Sequence, residues 1–464
     1  MSVNNPLIQS IQSCVSPKYQ SVTVALSGGV DSVVMLHACV QLRAQMMAQI
    51  QSVSFTVKAV HIHHGLSPNA DNWLAFCKNL CEKHEVEFTF LKVGVNQQSR
   101  KSLEELARNA RYGAIDELAS PDSLVLVAQH EDDQAETVLL QLKRGAGPKG
   151  LSGMARQFTK SSSVEYARPW IAAGIGKQDV LDYAQQHQLT WVEDESNSDQ
   201  AFERNFLRNE VFPILKGKWP QITKTISRSA HLCAIQNELV ESFAKEALHK
   251  IIGGAGSLSI VGLQALPHSL AAEVLRMWTT VQSSLTPSLA QLNEIQKLCE
   301  AKADQVGVVQ IRGWQCRCFN QYLYWVENSS VVTKPYQSFK IDVKKLDEGG
   351  ITRENLTIGL LNPSATEAEQ SDCVLTIAAE VHDINVTFGD LQRKVKMYGK
   401  RPTKTIKAWM KEWKIKPWRR MAVPILMIND EVFAIVTEET INICYLYKES
   451  EAYPHPLKLA ISLI

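Results

Sequence analysis

The segment Val22-Thr-Val-Ala-Leu26-Ser27-Gly28-Gly29-Val30-Asp31-Ser32 narrows the possible folds more than any other part of this chain. A short apolar run passes through two adjacent glycines into Val33 to Val40, which is periodic enough for a helix. Three more strand candidates follow: Val57 to Ile62, Phe88 to Val93 and Leu124 to Ala128. Helical stretches lie between and after them, at Asn72 to His84, Leu103 to Leu118 and Asp133 to Lys143. Strands alternating with helices predict an α/β fold, a doubly wound parallel sheet with both faces covered. Ligands of such sheets bind at the carboxyl ends of the strands, so the residues after each strand are the candidates.

After the first strand, Gly28 and Gly29 let the backbone approach an anion closely, and the next helix offers free N–H groups. Ser27 and Ser32 add hydroxyls. The spacing and Gly-Lys-Ser/Thr ending of a Walker A loop are missing. A turn and a cap explain the glycines alone; Asp31 and Ser32 directly after a strand favour phosphate binding. Asp31 would repel an anion, which suggests Mg²⁺ between the two. After the second strand, His61-Ile62-His63-His64 lacks helical His-x-x-x-His spacing and a nearby carboxylate, so a polar cleft lining is favoured over zinc.

After the fourth strand, His130-Glu131-Asp132-Asp133-Gln134-Ala135-Glu136 opens a helix. Acids in a first turn cap a helix and oppose its dipole. Asp133 and Glu136 also share a face, as do Asp132 and Glu136, where they suit Mg²⁺ or an amine. Both readings are compatible. Glu104, Arg108 and Arg111 share another helix face, which a solvated salt-bridge ladder explains equally well. Leu142 to Leu151 is a basic, glycine-rich loop suited to phosphate or RNA. Asp194-Glu195-Ser196-Asn197 precedes Arg204 and Arg208, which project from one side and could grip a polyphosphate or nucleic-acid backbone.

The loop at 27–32 resembles the pyrophosphate-binding loop of the N-type ATP pyrophosphatases, the PP-loop family. The ordered set of Ser27 to Ser32, His61 to Ser67, Ala110-Arg111-Tyr112, His130 to Thr137, Arg144-Gly145 with Gly150-Leu151, Arg168-Pro169 and Asp194 to Arg208 resembles the bacterial tRNA(Ile)-lysidine synthetases. That resemblance implies joining L-lysine to the wobble cytidine (position 34) of a CAU-anticodon isoleucine tRNA, with ATP and Mg²⁺ as cofactors, in the cytoplasm. It implies ATP binding by Ser27, Gly28, Gly29, Val30, Asp31 and Ser32, with Asp31 near Mg²⁺. It further implies catalytic roles for Asp31, Asp133 and Glu136, and substrate contacts for Arg111, His130, Arg204 and Arg208. A tRNA thiolase with the same loop would need reactive cysteines, often Cys-x-x-Cys, which these motifs lack. A non-catalytic RNA-binding protein would leave the loop and acids idle.

A chain of 464 residues predicts about three domains. We expect a catalytic domain at 1–216, a mainly helical tRNA-contacting domain at 217–330, a linker region at 331–373 and a small basic α+β domain at 374–464. Gly217 to Thr225 reads as a hinge between Pro213 and Pro220. Helices are expected over Ile226 to Ile251, over Leu270 to Val281 and after a Thr286 cap, and a β pair within Gln310 to Val326. Forty-nine basic and 48 acidic residues exclude a uniformly basic coat. Between Arg393 and Arg420, however, twelve Lys or Arg face the single acid Glu412, with Trp409, Trp413 and Trp418 interleaved. Helical spacing puts Lys404, Lys407, Lys411 and Lys414 on one side as a tRNA-binding face. The segment Ile406 to Leu426 resembles the same family's C-terminal tRNA-contacting domain. A hairpin is expected around Asn429-Asp430. No apolar run reaches the roughly 18 residues of a membrane span, and the scattered cysteines read as reduced thiols.

Overall fold

The computed structural model describes residues 5–48, 55–63, 65, 67–94, 103–120, 122–159, 164–195, 202–300, 307–346, 350–360, 373–377, 380–398, 402–437, 441–444 and 457–463. The chain forms two compact units, Met1–Glu241 and Ser242–Ile464.

The first unit is built on strands β1 (Ser21–Ala25), β2 (Thr56–His63), β3 (Glu87–Lys92), β4 (Ser123–Leu126), β5 (Gln157–Thr159) and β6 (Glu165–Ala167). Their order is β3-β2-β1-β4-β6-β5, parallel except for the antiparallel β5. Register is set by Ser21 opposite both Thr56 of β2 and Ser123 of β4. Every residue of β4 is buried, the continuous pattern of a strand covered on both faces. Leu124 and Leu126 join one core with Val22, Val24 and Trp170, whereas Val125 joins a second with Tyr112, Ile115 and Tyr166. Successive strand side chains point to opposite faces, so two helical layers are needed. The helices are α1 (Pro6–Cys14), α2 (Val30–Ala48), α3 (Ala70–Lys83), α4 (Leu103–Leu118), α5 (Glu131–Lys143), α6 (Pro148–Leu151), α7 (Pro169–Ala173), α8 (Lys177–Gln186), α9 (Glu203–Phe206), α10 (Phe212–Lys218) and α11 (Ile222–Ile251), the last of which belongs to the second unit from Ser242 on. The doubly wound α/β expectation is met. Strand order reverses between β1 and β4, which opens a crevice at their carboxyl ends.

The expected hinge at 217–225 is largely helix. Gly217 lies in α10 and α11 begins at Ile222, leaving only Trp219 to Gln221 outside a helix. Pro213 follows directly on the π-helical stretch Leu207–Val211, at the start of α10.

In the second unit, helices Ile260–Gln264, His268–Ser283 and Leu289–Glu300 pack with a four-stranded antiparallel sheet. The expected β pair is Trp314–Phe319 against Tyr322–Glu327, flanked by Val308–Ile311 and Leu258–Ser259. Trp325 is buried edge-on to Trp278, with Trp314 stacked on it, so these indoles are packing residues. The third helix is capped by Ser288 and not by Thr286. Ser288 Oγ accepts the Gln291 N–H at 3.3 Å, and the Ser288 N–H donates to Gln291 Oε1 at 2.9 Å.

The expected linker at 331–373 carries strands Phe339–Asp342, Ile351–Arg353 and Leu356–Leu360. Two of these pair with segments far along the chain, Asp383–Thr387 and Leu457–Leu463, so no local pattern announced them. The hairpin joins Ile425–Ile428 to Glu431–Val436. Asn429 (φ 51°) and Asp430 (φ 61°) supply the two left-handed residues of its tight turn.

Candidate active site

The loop after β1 closes on its own serine. Ser32 Oγ accepts the N–H groups of Ser27 and Gly28, each at 3.1 Å, and donates to the Gly29 carbonyl at 2.9 Å. Val30 starts α2, with Asp31 in its first turn. Gly28 (φ 94°) is obligatory on two counts. Its backbone is left-handed, and a Cβ would lie 2.8 Å from Val192 Cγ2 and 3.3 Å from Cys77 Sγ.

Across the crevice, α5 begins after β4 with His130 as its cap. His130 Nδ1 accepts the Asp133 N–H at 3.4 Å, and Asp133 Oδ2 accepts the His130 N–H at 3.1 Å. Nδ1 is thus engaged in the cap, and Nε2 is turned to the neighbouring carboxylates. Nε2 lies 3.7 Å from Asp31 Oδ1 and 3.4 Å from Asp133 Oδ2, so the two motifs meet on one buried imidazole. Each acid then meets at least one cation, and Arg208 serves two of them. Lys177 Nζ donates to Asp31 Oδ1 at 2.7 Å, and Lys216 Nζ to Asp132 Oδ1 at 2.5 Å. Arg208 donates to Glu136 and to Asp133 (3.0 Å), while Arg204 reaches Glu136 at 3.3 Å and Thr137 Oγ1 at 2.8 Å.

These neighbours separate the carboxyls. Burial raises Asp133, but the His130 ring and Arg208 outweigh it and hold the group below the usual carboxylate range. Burial dominates at Glu136 and pushes it up, with Arg208 opposing. Asp132 is lowered: burial works upward, and Lys216 with the Lys177 amide overcomes it.

The other predicted positions divide. Arg204 and Arg208 face the α5 acids, because a π-helical stretch, Leu207–Val211, continues α9 and carries Arg208. Arg111 lies on α4, close enough to His61 to contribute to lowering that imidazole, although burial is the larger cause. His61 Nδ1 bonds the Leu26 carbonyl at 2.9 Å and His63 Nε2 lies 3.2 Å from Asp71, so the two rings take separate partners. His64, Ser196 and Asn197 fall outside the described residues. Lys177 and Lys216 were not anticipated; nothing local marks them, since the Lys177–Asp31 contact spans 146 residues.

The four C-terminal lysines do not share a helix side. Thr405 Oγ1 caps the helix Ile406–Glu412 through the Ala408 N–H, so the helix starts after Lys404, which lies in the strand Thr403–Thr405. Lys404 bonds Glu412 at 2.7 Å and lies 4.7 Å from the Trp409 ring centroid. Lys414 follows the helix with φ 57°. Lys407, Lys411 and Lys414 are exposed; Trp409 and Trp418 are buried.

Comparison with known proteins agrees with this architecture. Residues 3–215 match the PP-loop domain, 258–324 the TilS substrate binding domain and 384–440 the TilS substrate C-terminal domain. The tRNA(Ile)-lysidine synthase of Yersinia pseudotuberculosis is 35% identical over 421 residues, covering 89% of this chain and 88% of that protein. That of Serratia proteamaculans is 34% identical over 417 residues, covering 90% of each. Among solved structures, the U34-tRNA thiolase of Methanococcus maripaludis is similar at 16% identity and a TM-score of 0.39, covering 49% of this chain and 78% of that one. With a PP-loop domain, both substrate domains and full-length relatives of this identity, the chain belongs to the tRNA(Ile)-lysidine synthase family.

Proposed function

We propose that this protein joins the ε-amine of L-lysine to C2 of cytidine 34 in a CAU-anticodon isoleucine tRNA, converting ATP to AMP and pyrophosphate. The product base pairs with adenosine, so the decoded codon changes from AUG to AUA. The observation carrying this reading is the meeting of Asp31 and Asp133 on His130 Nε2, which joins the phosphate loop and the acid cluster into one site. The C2 oxygen is a poor leaving group until it bears AMP; the lysine amine then displaces AMP from C2.

Within the site, the loop at 27–32 receives the phosphates, and the N-terminus of α2 stabilises their charge. Asp133 and Glu136 suit the lysine ammonium, and one carboxylate accepts its proton before attack. Arg111, Arg204 and Arg208 serve tRNA or the adenylate. Mg²⁺ fits at Asp31. The carboxylate is partly exposed beside the loop, where it would hold one face of an ion that keeps waters and phosphate oxygens as its other ligands. When bound, it neutralises charge between Asp31 and ATP. The exposed Lys407, Lys411 and Lys414 contact the tRNA backbone. A cytoplasmic setting supplies all three substrates, and among the described residues no helix is long and apolar enough to cross a membrane.

The test is mass spectrometry of tRNA nucleosides after incubation with ATP and lysine. A lysine-sized gain on one cytidine supports the reading. A sulfur gain, the thiolase outcome, or no gain ends it.

A further inference from the structure

We propose that Lys177 is a resident counter-ion of the ATP site: it neutralises Asp31 in the nucleotide-free protein, yields Asp31 to the incoming divalent cation, and moves to a phosphate of ATP. The proposal rests on the function proposed above and concerns a residue that the sequence motifs do not include.

The charge count motivates it. Four carboxylates, Asp31, Asp132, Asp133 and Glu136, are matched by four cations, Lys177, Lys216, Arg204 and Arg208. Asp31 is already paired, so a cation approaching it meets an occupied carboxylate. Among the described residues, the Lys177 ammonium lies nearest to Asp31, at 2.7 Å, with the His130 ring at 3.7 Å.

The geometry provides a fixed root and a free head. Lys177 is the first residue of α8, and its N–H donates to Asp132 Oδ2 at 2.7 Å, while Lys216 holds the other oxygen of Asp132. Gly176 keeps this approach open, since a Cβ there would lie 3.3 Å from Asp132 Oδ2. The side chains of Lys177 and Asp31 are 37% and 31% exposed, so the ammonium is open to solvent and can leave the carboxylate. A lysine is a compact point charge on a flexible stem, suited to exchanging one oxygen partner for another. Because its root is anchored beside the loop, the displaced ammonium stays within the crevice that receives the triphosphate.

Two measurements on the full chain, with opposite expected signs, test this. Mn²⁺ binding to the nucleotide-free protein, followed by the electron paramagnetic resonance of the free ion, should tighten about fivefold in Lys177→Met, because a partly exposed competing ion pair is removed. Lys177→Arg should stay near wild type. In a single turnover with tRNA and labelled ATP but no lysine, AMP-linked tRNA should form about a hundredfold more slowly in Lys177→Met. A residue that only supports the fold would not improve Mn²⁺ binding; circular dichroism confirms that each variant is folded. Unchanged Mn²⁺ affinity, or adenylation at the wild-type rate, would overturn the proposal. If wild type itself forms no AMP-linked tRNA, the proposed function fails, and with it the move to phosphate; the Mn²⁺ comparison still decides whether Lys177 guards Asp31.

Discussion

Arg208 grips Glu136 through two parallel bonds, Nε to Oε1 at 2.7 Å and Nη2 to Oε2 at 2.9 Å, and Glu136 is only 2% exposed. The same guanidinium reaches Asp133, one helical turn away on the same face of α5. A planar fork suits this arrangement and an ammonium does not. Arg208→Ala should therefore destabilise the first unit by about 2 kcal/mol, less than a fully buried pair because Arg208 is partly exposed and Arg204 remains. Adding Glu136→Gln should recover part of the loss, since the most buried carboxylate held by Arg208 is then removed and only Asp133 still loses its partner. Urea unfolding of both variants provides the comparison, and an unaffected single variant would mean that Arg204 alone suffices.

Asp31→Asn should keep the fold and tRNA binding, because the loop is closed by Ser32 and not by Asp31. AMP release in the presence of Mg²⁺ should fall by a factor of about a hundred or more. Release at the wild-type rate would remove the metal-linked role from Asp31.

On the C-terminal side, Lys407, Lys411 and Lys414 are exposed while Lys404 is engaged by Glu412. Each phosphate contact contributes roughly 0.7 to 0.9 to the salt slope of binding. The triple change to Ala should lower tRNA affinity and flatten the slope by up to about 2.7. Lys404→Ala alone should have little effect on the slope. Filter-binding titrations over salt concentration decide this, and equal slopes would identify a solvated face.

His37 predicts an acid limb. It is buried on α2, its Nδ1 lies 3.0 Å from the Tyr183 hydroxyl, and His84 and His187 pack against its ring. Burial, then His187, His84 and Lys83, lower it from 6.5 to about 4. Between those values the unfolded chain binds a proton that the folded chain refuses, so stability falls as pH drops from 6.5 towards 4. The loss attributable to this ring is about 3 kcal/mol. His37→Gln should show a correspondingly shallower decline in urea unfolding between pH 7 and 4. Parallel declines in the two proteins would assign the acid limb to other groups.

What the sequence determined by itself is local. Strand β1, its glycine loop and α2 are contiguous, and the His130–Asp133 cap closes within four residues; the Asn429-Asp430 turn needs only two. Short-range patterning also placed β1 to β4 of the six-stranded sheet, whereas the three-residue strands β5 and β6 are too short to carry a pattern and were missed. Tertiary structure decided the partners. Lys177 meets Asp31 across 146 residues, and Arg208 meets Glu136 across 72. It also decided that the region expected as linker is partly sheet and that Lys404 lies outside the helix. The physical reason is range: caps, turns and periodicity act within a few residues. Ion pairs and strand register are fixed only when folding brings distant segments together, where a buried carboxylate must find a cation.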